Sequence, residues 1–367
     1  MRVLHLAAGN LYGGVERILV AIASTPTGWQ HEFALCFNGR LREELQERGA
    51  SCHMLGEVRF SRPITVWRAR RRLSALLAAS HFDVIVCHSP WAFGVAAPAC
   101  AGIRRVLWAH NALDGSHWTE RRVRRTPPDL IICNSEHTSQ AIASWMQTTP
   151  RTVIYAPVTE NSATPDARRE VRHQLGVGYS TTVILIASRL EAGKGHRTLV
   201  EAVSGLRGDW ALWMAGGVQQ QSEDRIARDI EAAVQTCGLG DRVRILGERR
   251  DVPRLLRGAD ILCQPNLEAE SFGIVFIEAL HAGVPVVTSD LGGAREIVMP
   301  DCGVLLMPGD VAALRATLQQ LIDEPARRSR LGAAGPLRAR SLTDPATQIA
   351  TLERVLTLQP DALLAHS

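Results

Sequence analysis

Lysine is all but missing from this chain. Of its 41 basic residues only Lys194 is a lysine, so the other 40 are arginines. Long apolar runs are missing as well, since none approaches the roughly 18 residues that a membrane-crossing helix needs. The opening "MRVLHLAAGN" has a short apolar run that stops at Gly9-Asn10; it is too short for a signal-peptide core and fits a first strand. The eight cysteines are scattered singly, with no CxxC pair and no histidine at zinc spacing. That excludes a disulfide framework or zinc site and points to a reduced, cytoplasmic chain. Aromatic residues make up only 5% and none is interleaved with the arginines as a stacking platform, so nucleic acid is not an expected partner. No GxGxxG follows the first strand, and "GNLYGG" has the wrong spacing, which argues against a dinucleotide-dependent oxidoreductase.

What is present suits an ordinary globular protein. At 367 residues the chain is comfortable for two domains and large enough for cores that need no covalent staple. Charge is uneven: residues 1–160 carry 18 Arg against 12 Asp/Glu, or +6, and the rest carries 23 Lys/Arg against 25 Asp/Glu, or −2. Two clusters, "RARRR" (Arg68 to Arg72) and "RRVRR" (Arg121 to Arg125), read either as solvated helix faces or as attraction to an anionic acceptor or to anionic membrane at the inner face.

Short β-branched runs alternate with amphipathic stretches, the pattern of parallel α/β sheets. Seven strand runs are expected first ("RVLHLAA", "EFALCF", "SCHML", "DVIVCHS", "RVLWAHN", "DLIICNS", "TVIYAP"). Six follow ("TTVILIASRL", "WALWMAGG", "RVRILGE", "ILCQPN", "PVVTSD", "GVLLM"). The expected organisation is an N-terminal doubly wound domain over 1–160, a polar linker over 161–180, and a second doubly wound domain over 181–340. A helical segment at 341–367 belongs to the second half or crosses back to the first. Ligands of such sheets bind beyond the carboxyl ends of the strands, so a cleft between two facing domains is the default site.

Lys194 lies in "ASRLEAGKGH", directly after a strand run, with Arg189 five residues before it. A planar guanidinium and a compact ammonium on a glycine-containing loop suit a diphosphate. An ordinary charged surface loop is the alternative, but a chain that otherwise uses arginine has kept one ammonium here. In "EAESFGIVFIEALHAGVPVVTSDLGG" the apolar spacing predicts a helix starting near Ser271, with Glu270 at its mouth and Glu278 two turns down. The amides of Phe272, Gly273, Ile274 and Val275 would then face an anion. Taken by spacing alone, Glu270 equally suits dipole compensation, and Glu278 a partly buried pair.

The run Glu270-Ser-Phe-Gly…Glu278-Ala…Gly283-Val-Pro-Val-Val…Gly292-Gly293…Glu296 resembles the signature of the retaining glycosyltransferases of family 4. "GNLYGGVER", "LWAHN", "ICNSEHT", "SRLEAGKG" and "LGERRDVPRLLRGADILCQPN" match further pieces in the expected order. The resemblance spans nearly the whole chain and is most specific in the second half. It implies the GT-B fold, two Rossmann-like doubly wound domains facing across a cleft. It also implies transfer of a hexose from a nucleoside-diphosphate sugar, UDP-sugar first and GDP-mannose second, to a glycan, lipid-linked or small-molecule acceptor in cell-surface polysaccharide or glycoconjugate synthesis.

Carried over, Arg189 and Lys194 would hold the diphosphate, Glu278 the ribose hydroxyls, and Glu270 with the amides after it the transferred sugar. His110 would contact that sugar near the reacting carbon. Gly13 and Gly14 would let the first domain approach the phosphates, and the base would lie near Glu248 to Asp251, including Arg249. Ser271 and His281 depart from the commoner residues of the family, and nothing in the sequence accounts for either. No DxD or His/Asp cluster offers a metal site, so the expectation is activity without metal or cofactor, the two cations and a helix N-terminus neutralising the leaving diphosphate. His117, Trp118 and Ser135 are candidates for acceptor contact, with surface loop, core packing and helix cap as their respective structural alternatives. His5, His88 and His137 flank strands or open helices and could reach the cleft, although such histidines are more often structural. A sugar-nucleotide epimerase of GT-B shape or a catalytically silent sugar-nucleotide binder are the alternative functions.

Overall fold

The computed structural model describes residues 1–358 other than 101, 161–163, 165 and 219–222. It resolves into two compact units, Met1–Thr159 together with the stretch from Thr343, and Glu160–Leu342. In the first unit the order is β1 (Arg2–Ala7), α1 (Gly14–Ser24), β2 (Gln30–Leu35), α2 (Arg40–Glu47), β3 (Cys52–Met54), α3 (Pro63–Ala79), β4 (Val84–Cys87), α4 (Pro90–Ala96), β5 (Arg104–Ala109), α5 (Trp118–Arg125), β6 (Leu130–Cys133), α6 (Glu136–Ala143) and β7 (Arg151–Val153). In the second it is α7 (Ala167–Gln174), β8 (Thr182–Ala187), α8 (His196–Val203), β9 (Trp210–Ala215), α9 (Glu223–Thr236), β10 (Val243–Gly247), α10 (Val252–Gly258), β11 (Ile261–Gln264), α11 (Ile274–His281), β12 (Val286–Ser289), α12 (Ala294–Ile297), β13 (Gly303–Leu306), α13 (Val311–Asp323) and α14 (Pro325–Thr343). A last helix, α15 (Pro345–Thr357), belongs to the first unit.

Both sheets are parallel throughout, in the orders β3-β2-β1-β4-β5-β6-β7 and β10-β9-β8-β11-β12-β13. The thirteen strand runs expected from the sequence all appear. Strands β4, β6, β8, β9, β11 and β12 are buried along their whole length. Helices cover both of their faces, so they read as unbroken apolar runs rather than as alternation. Side chains still alternate across each sheet. In the first unit Leu4, Leu6, Ile85, Leu107 and Ile131 pack on Val66 and Leu73 of α3 and Phe93 of α4. Burying a side chain of this size contributes about 1.5–3 kcal/mol. The opposite face of β1, β2 and β5 presents His5, Phe33 and Trp108, all buried.

Strand order reverses between β1 and β4 and again between β8 and β11. Loops leaving neighbouring strands at such a point go to opposite sides of the sheet and open a crevice at the carboxyl ends. The loop after β8 carries Arg189 and Lys194, and the loop after β11 carries Glu270.

The polar stretch 161–180, expected as a linker, is corrected in part. Residues 161–163 and 165 lie outside the described residues, but Ala167–Gln174 forms α7, anchored by a buried arginine. Arg172 donates through Nε to the Gly258 carbonyl at 2.9 Å and through Nη1 to the carbonyls of Gly178, Tyr179 and Thr181, each at 2.9 Å. Its Nη2 pairs with Asp260. An arginine used as a core residue is invisible to apolar periodicity, so the helix could not be seen in the sequence.

Candidate active site

In the second unit the site is assembled from two loops. The chain leaves β8, makes a single 3-10 turn over Ala192–Lys194, and enters α8 through Gly195. Gly195 has φ +74, and a Cβ there would fall 1.9 Å from the Pro265 carbonyl oxygen. Only glycine allows this approach. The Leu267 amide donates to the Gly193 carbonyl at 2.8 Å and completes the junction. These contacts place the Lys194 Nζ 2.6 Å from Oε2 of Glu270, both side chains about one-fifth exposed. Gln264 Nε2 reaches the same oxygen at 3.5 Å. From the far side Gly293 donates its amide to the Glu270 carbonyl at 2.7 Å. Gly292 (φ +56) stands where a Cβ would lie 2.3 Å from that same oxygen. The double glycine thus braces the Glu270 loop.

Arg189 is 40% exposed and pairs with Glu191 at 2.6 Å, with Glu223 4.0 Å away. Its guanidinium is held by a carboxylate of its own loop, with a second at the start of α9 beside it, rather than pointing free. Arg249 binds Asp251 through Nε and Nη2, at 2.8 and 2.7 Å, and these bonds hold the Asp251 carboxyl below its usual range.

The helix expected from Ser271 starts three residues later. Gly273 has φ +102, a left-handed conformation that no α-helix interior accommodates, and α11 begins at Ile274. Ser271 and Phe272 therefore precede the helix, and Phe272 is buried. Ile274 and Val275 head the helix, since the Phe276 amide already bonds the Gly273 carbonyl at 2.9 Å. Glu278 stands one turn down rather than two, and is half-buried. The spacing of the two glutamates is thus a loop-to-helix relation, not two points on one helix.

In the first unit His110 follows β5 directly and is 8% exposed. Its Nε2 contacts His88 Nδ1 at 3.0 Å, its carbonyl accepts from Asn134 Nδ2 at 2.9 Å, and its ring stacks on Trp108 at 5.5 Å. Burial pushes its pKa down to about 3. At neutral pH it is an uncharged imidazole and a weak base, suited to hydrogen bonding rather than to carrying a proton away. Gly13 caps α1, and its amide donates to the Glu16 carboxylate at 2.9 Å. An anion at Gly13 and Gly14 thus competes with the helix's own side chain.

The acceptor candidates divide. Ser135 is fully buried and caps α6, its Oγ accepting from the Thr138 amide at 3.0 Å, which leaves it no face for an acceptor. His117 caps α5 and bonds Thr119 Oγ1 through Nδ1 at 2.6 Å. Trp118 is 41% exposed and meets Phe60 edge-on at 4.9 Å, so it keeps an open face. A cavity of about 590 Å³ in the second unit, lined by Arg168, Arg257, Asp260, Pro285 and Arg328, contains none of the expected site residues. Asp260 and Pro285 precede β11 and β12, so it opens at the amino ends of the strands, the wrong edge for the substrate of a parallel sheet.

Comparison with known proteins places the fold and the family. Residues 167–338 match the family model described as glycosyl transferases group 1, and residues 12–161 match that of glycosyltransferase family 4. A GDP-mannose-dependent monoacylated alpha-(1-6)-phosphatidylinositol monomannoside mannosyltransferase of Corynebacterium glutamicum is 32% identical over 273 residues, covering 66% of this chain and 69% of that one. A D-inositol 3-phosphate glycosyltransferase of Xylanimonas cellulosilytica is 34% identical, over 51% of this chain and 44% of its own. In structure, Anabaena HepE, crystallised with UDP and glucose, superposes with a TM-score of 0.87 at 24% identity, over 97% of this chain and 99% of that one. The shared fold is GT-B, with two Rossmann-like domains in one chain.

Proposed function

The chain belongs to glycosyltransferase family 4 and is an enzyme acting on sugar nucleotides; we propose that it transfers a hexose with retention of anomeric configuration, without a divalent metal. The observation that carries this is the Lys194–Glu270 pair at the switch point of the second sheet, with Arg189 on the same loop. A leaving diphosphate gains negative charge as the sugar–phosphate bond breaks. Lys194, Arg189 and the amides heading α11 supply fixed positive potential there, with no reorganisation needed at the moment of reaction. Retention follows if the acceptor attacks from the face the diphosphate leaves and gives its proton to the departing phosphate oxygen. No strong base is then required. A neutral His110 would hold and polarise the transferred sugar, Glu270 would bind its hydroxyls, and Glu278 the ribose.

For the donor, GDP-mannose takes precedence over a UDP-sugar. The relative that supports it is 32% identical over two-thirds of both chains, whereas the likeness to a UDP-bound structure shows the fold alone. The proposed acceptor is a lipid-linked or inositol-containing glycoconjugate presented at an anionic membrane face. Thermal shift with GDP, UDP, ADP and NAD, in EDTA and again with magnesium, tests the core of this. Ligand at about a hundred times its Kd stabilises by roughly 2.7 kcal/mol. A shift with one nucleoside diphosphate in EDTA is expected and names the base. A shift only with NAD, or only with magnesium, would remove the proposal.

A further inference from the structure

Four imidazoles form a continuous chain through the first unit. His110 Nε2 meets His88 Nδ1 at 3.0 Å, His88 Nε2 meets His5 Nδ1 at 2.9 Å, and His5 Nε2 meets His31 Nδ1 at 2.9 Å. The outer nitrogen, His31 Nε2, lies 3.8 Å from the Glu353 carboxylate on α15. The rings sit on β1 and β2 and just past the ends of β4 and β5, and run from the carboxyl edge of the sheet towards its amino edge. His5 stacks on Phe33 at 5.4 Å, and Trp108 stacks on both His88 and His110. The two terminal ring nitrogens, His110 Nδ1 and His31 Nε2, are buried and make no hydrogen bond among the described residues.

All four rings are held neutral. Burial pushes His5 and His88 well below their usual range, His31 to about 4 and His110 to about 3. A neutral imidazole has one ring proton, so four rings share four protons among three internal bonds and one end. Only two arrangements give each internal bond a single proton. In one, every ring is protonated on Nε2: the chain points its protons towards Glu353 and leaves His110 Nδ1 a bare acceptor. In the other, every ring is protonated on Nδ1: His110 Nδ1 becomes a donor, and His31 Nε2 turns a bare lone pair towards the carboxylate. Mixed arrangements leave a buried bond with no proton or with two, which costs a buried hydrogen bond. At 3.8 Å the carboxylate is too far for a normal hydrogen bond, yet near enough to attract an N–H and repel a lone pair. Thr27 Oγ1 donates to the same carboxylate and fixes it. The amino terminus of Met1 is the other charged group near His31 and Glu353.

We propose that Glu353 is a positioning residue that sets the tautomer of His110 through the His31–His5–His88 chain, so that the His110 ring faces the transferred sugar as a hydrogen-bond acceptor. The sugar hydroxyl would then donate to Nδ1, the one His110 ring nitrogen outside the chain, once donor binding uncovers that buried atom. The kinetic consequence rests on His110 being a sugar contact, whereas the tautomer itself does not.

The test is a long-range 1H–15N correlation spectrum of the full chain labelled on histidine, with the four rings assigned through single replacements. Wild type is expected to show all four rings protonated on Nε2. Glu353→Gln keeps the side-chain shape and removes the charge. It should mix the two tautomers at His110 and lower kcat roughly threefold to tenfold, the worth of one hydrogen bond, with KM for the donor little changed. His31→Phe leaves α15 untouched, cuts the chain at its outer end, and should alter the His110 ring in the same way. Nδ1 protonation of His110 in the wild type would overturn the proposal, as would a His110 ring unaffected by both substitutions. A tautomer change without a kcat change would retain the chain and dismiss His110 as the sugar contact.

Discussion

Lys194 and Glu270 meet at 2.6 Å across two loops that leave adjacent strands, β8 and β11. Neither group is alone while no donor is bound, and a diphosphate and a sugar would have to separate them. On the function proposed above, the pair is a latch in which each partner compensates the other until substrate offers each something better.

Glu270→Gln should free Lys194. Nucleoside diphosphate alone should bind at least as tightly as to wild type, and up to a few-fold tighter. Turnover of the nucleotide sugar should fall by about tenfold or more, since a charged hydrogen bond to the sugar is lost, worth about 1.5–3 kcal/mol. Titration calorimetry with the diphosphate beside initial rates separates the two. Loss of diphosphate affinity together with turnover would count against the latch.

Lys194→Arg keeps the charge and changes its shape. The loop is pressed against Pro265 through Gly195, so a broad guanidinium has little room to replace a compact ammonium. An activity loss of roughly tenfold to a hundredfold with an unchanged melting temperature is expected. A fully active Lys194→Arg enzyme would show that the single lysine has no special place in the chemistry.

The fold was legible where burial made strands read as apolar runs, and thirteen of them are where alternation put them. The candidate site was legible in part. Arg189, Lys194, Glu270 and His110 are where strand ends put them, but the start of α11 was not, because the left-handed Gly273 breaks a helix that its apolar neighbours would allow. Helix α7 was missed because its anchor, Arg172, is charged. The histidine chain was missed for a different reason. His5, His31, His88 and His110 are spread over four strand segments, and only the sheet order β2-β1-β4-β5 makes them neighbours.

Arg172→Met tests the structural half of that lesson. It strips four carbonyls of their donor and removes one of the two guanidinium partners of the Asp260 carboxylate, the other being Arg168 at 2.7 Å. Each buried acceptor left without a partner costs about 1–3 kcal/mol. The melting transition of the second unit should fall by several degrees or more, as read by calorimetry. An unchanged transition would mean α7 is not held as described.

Acid should weaken the first unit before its carboxylates are protonated. In the unfolded chain histidines take up protons below about 6.5. In the fold His31 resists until about 4 and His110 until about 3, with His5 and His88 also depressed. Between these limits the unfolded state binds more protons. Stability is therefore complete above pH 6.5 and lost as pH falls, at about 1.4 kcal/mol per pH unit for each such ring. Melting temperatures at fixed ionic strength should drop from pH 6.5 to 4.5, and His5→Phe should make that drop shallower. A flat profile would refute neutral burial of the chain.

On α3, Ile64, Trp67, Arg68 and Arg71 share one exposed stripe at helical spacing, with Ile64 and Trp67 58% and 56% exposed. Arg70 of the same cluster is half-buried and bonds the carbonyls of Gly94 and Val95, and Arg72, though exposed, bonds the Leu55 carbonyl. The outward stripe suits an anionic lipid surface. Vesicles with anionic lipid should sediment the protein at low salt and release it at high salt, and Trp67→Ser with Arg71→Ser should abolish this. Absence of salt-sensitive binding would remove the membrane from the proposed acceptor.

Helix α15 is added to the first unit only after the whole second unit has been threaded. Glu160–Leu342 is therefore one uninterrupted length of chain, while the other unit is assembled from segments on either side of it. During synthesis all of Glu160–Leu342 has been made while the first unit still lacks α15. Glu353 is made only after every residue of Glu160–Leu342, so the carboxylate at the outer end of the histidine chain joins the first unit behind the whole of the second.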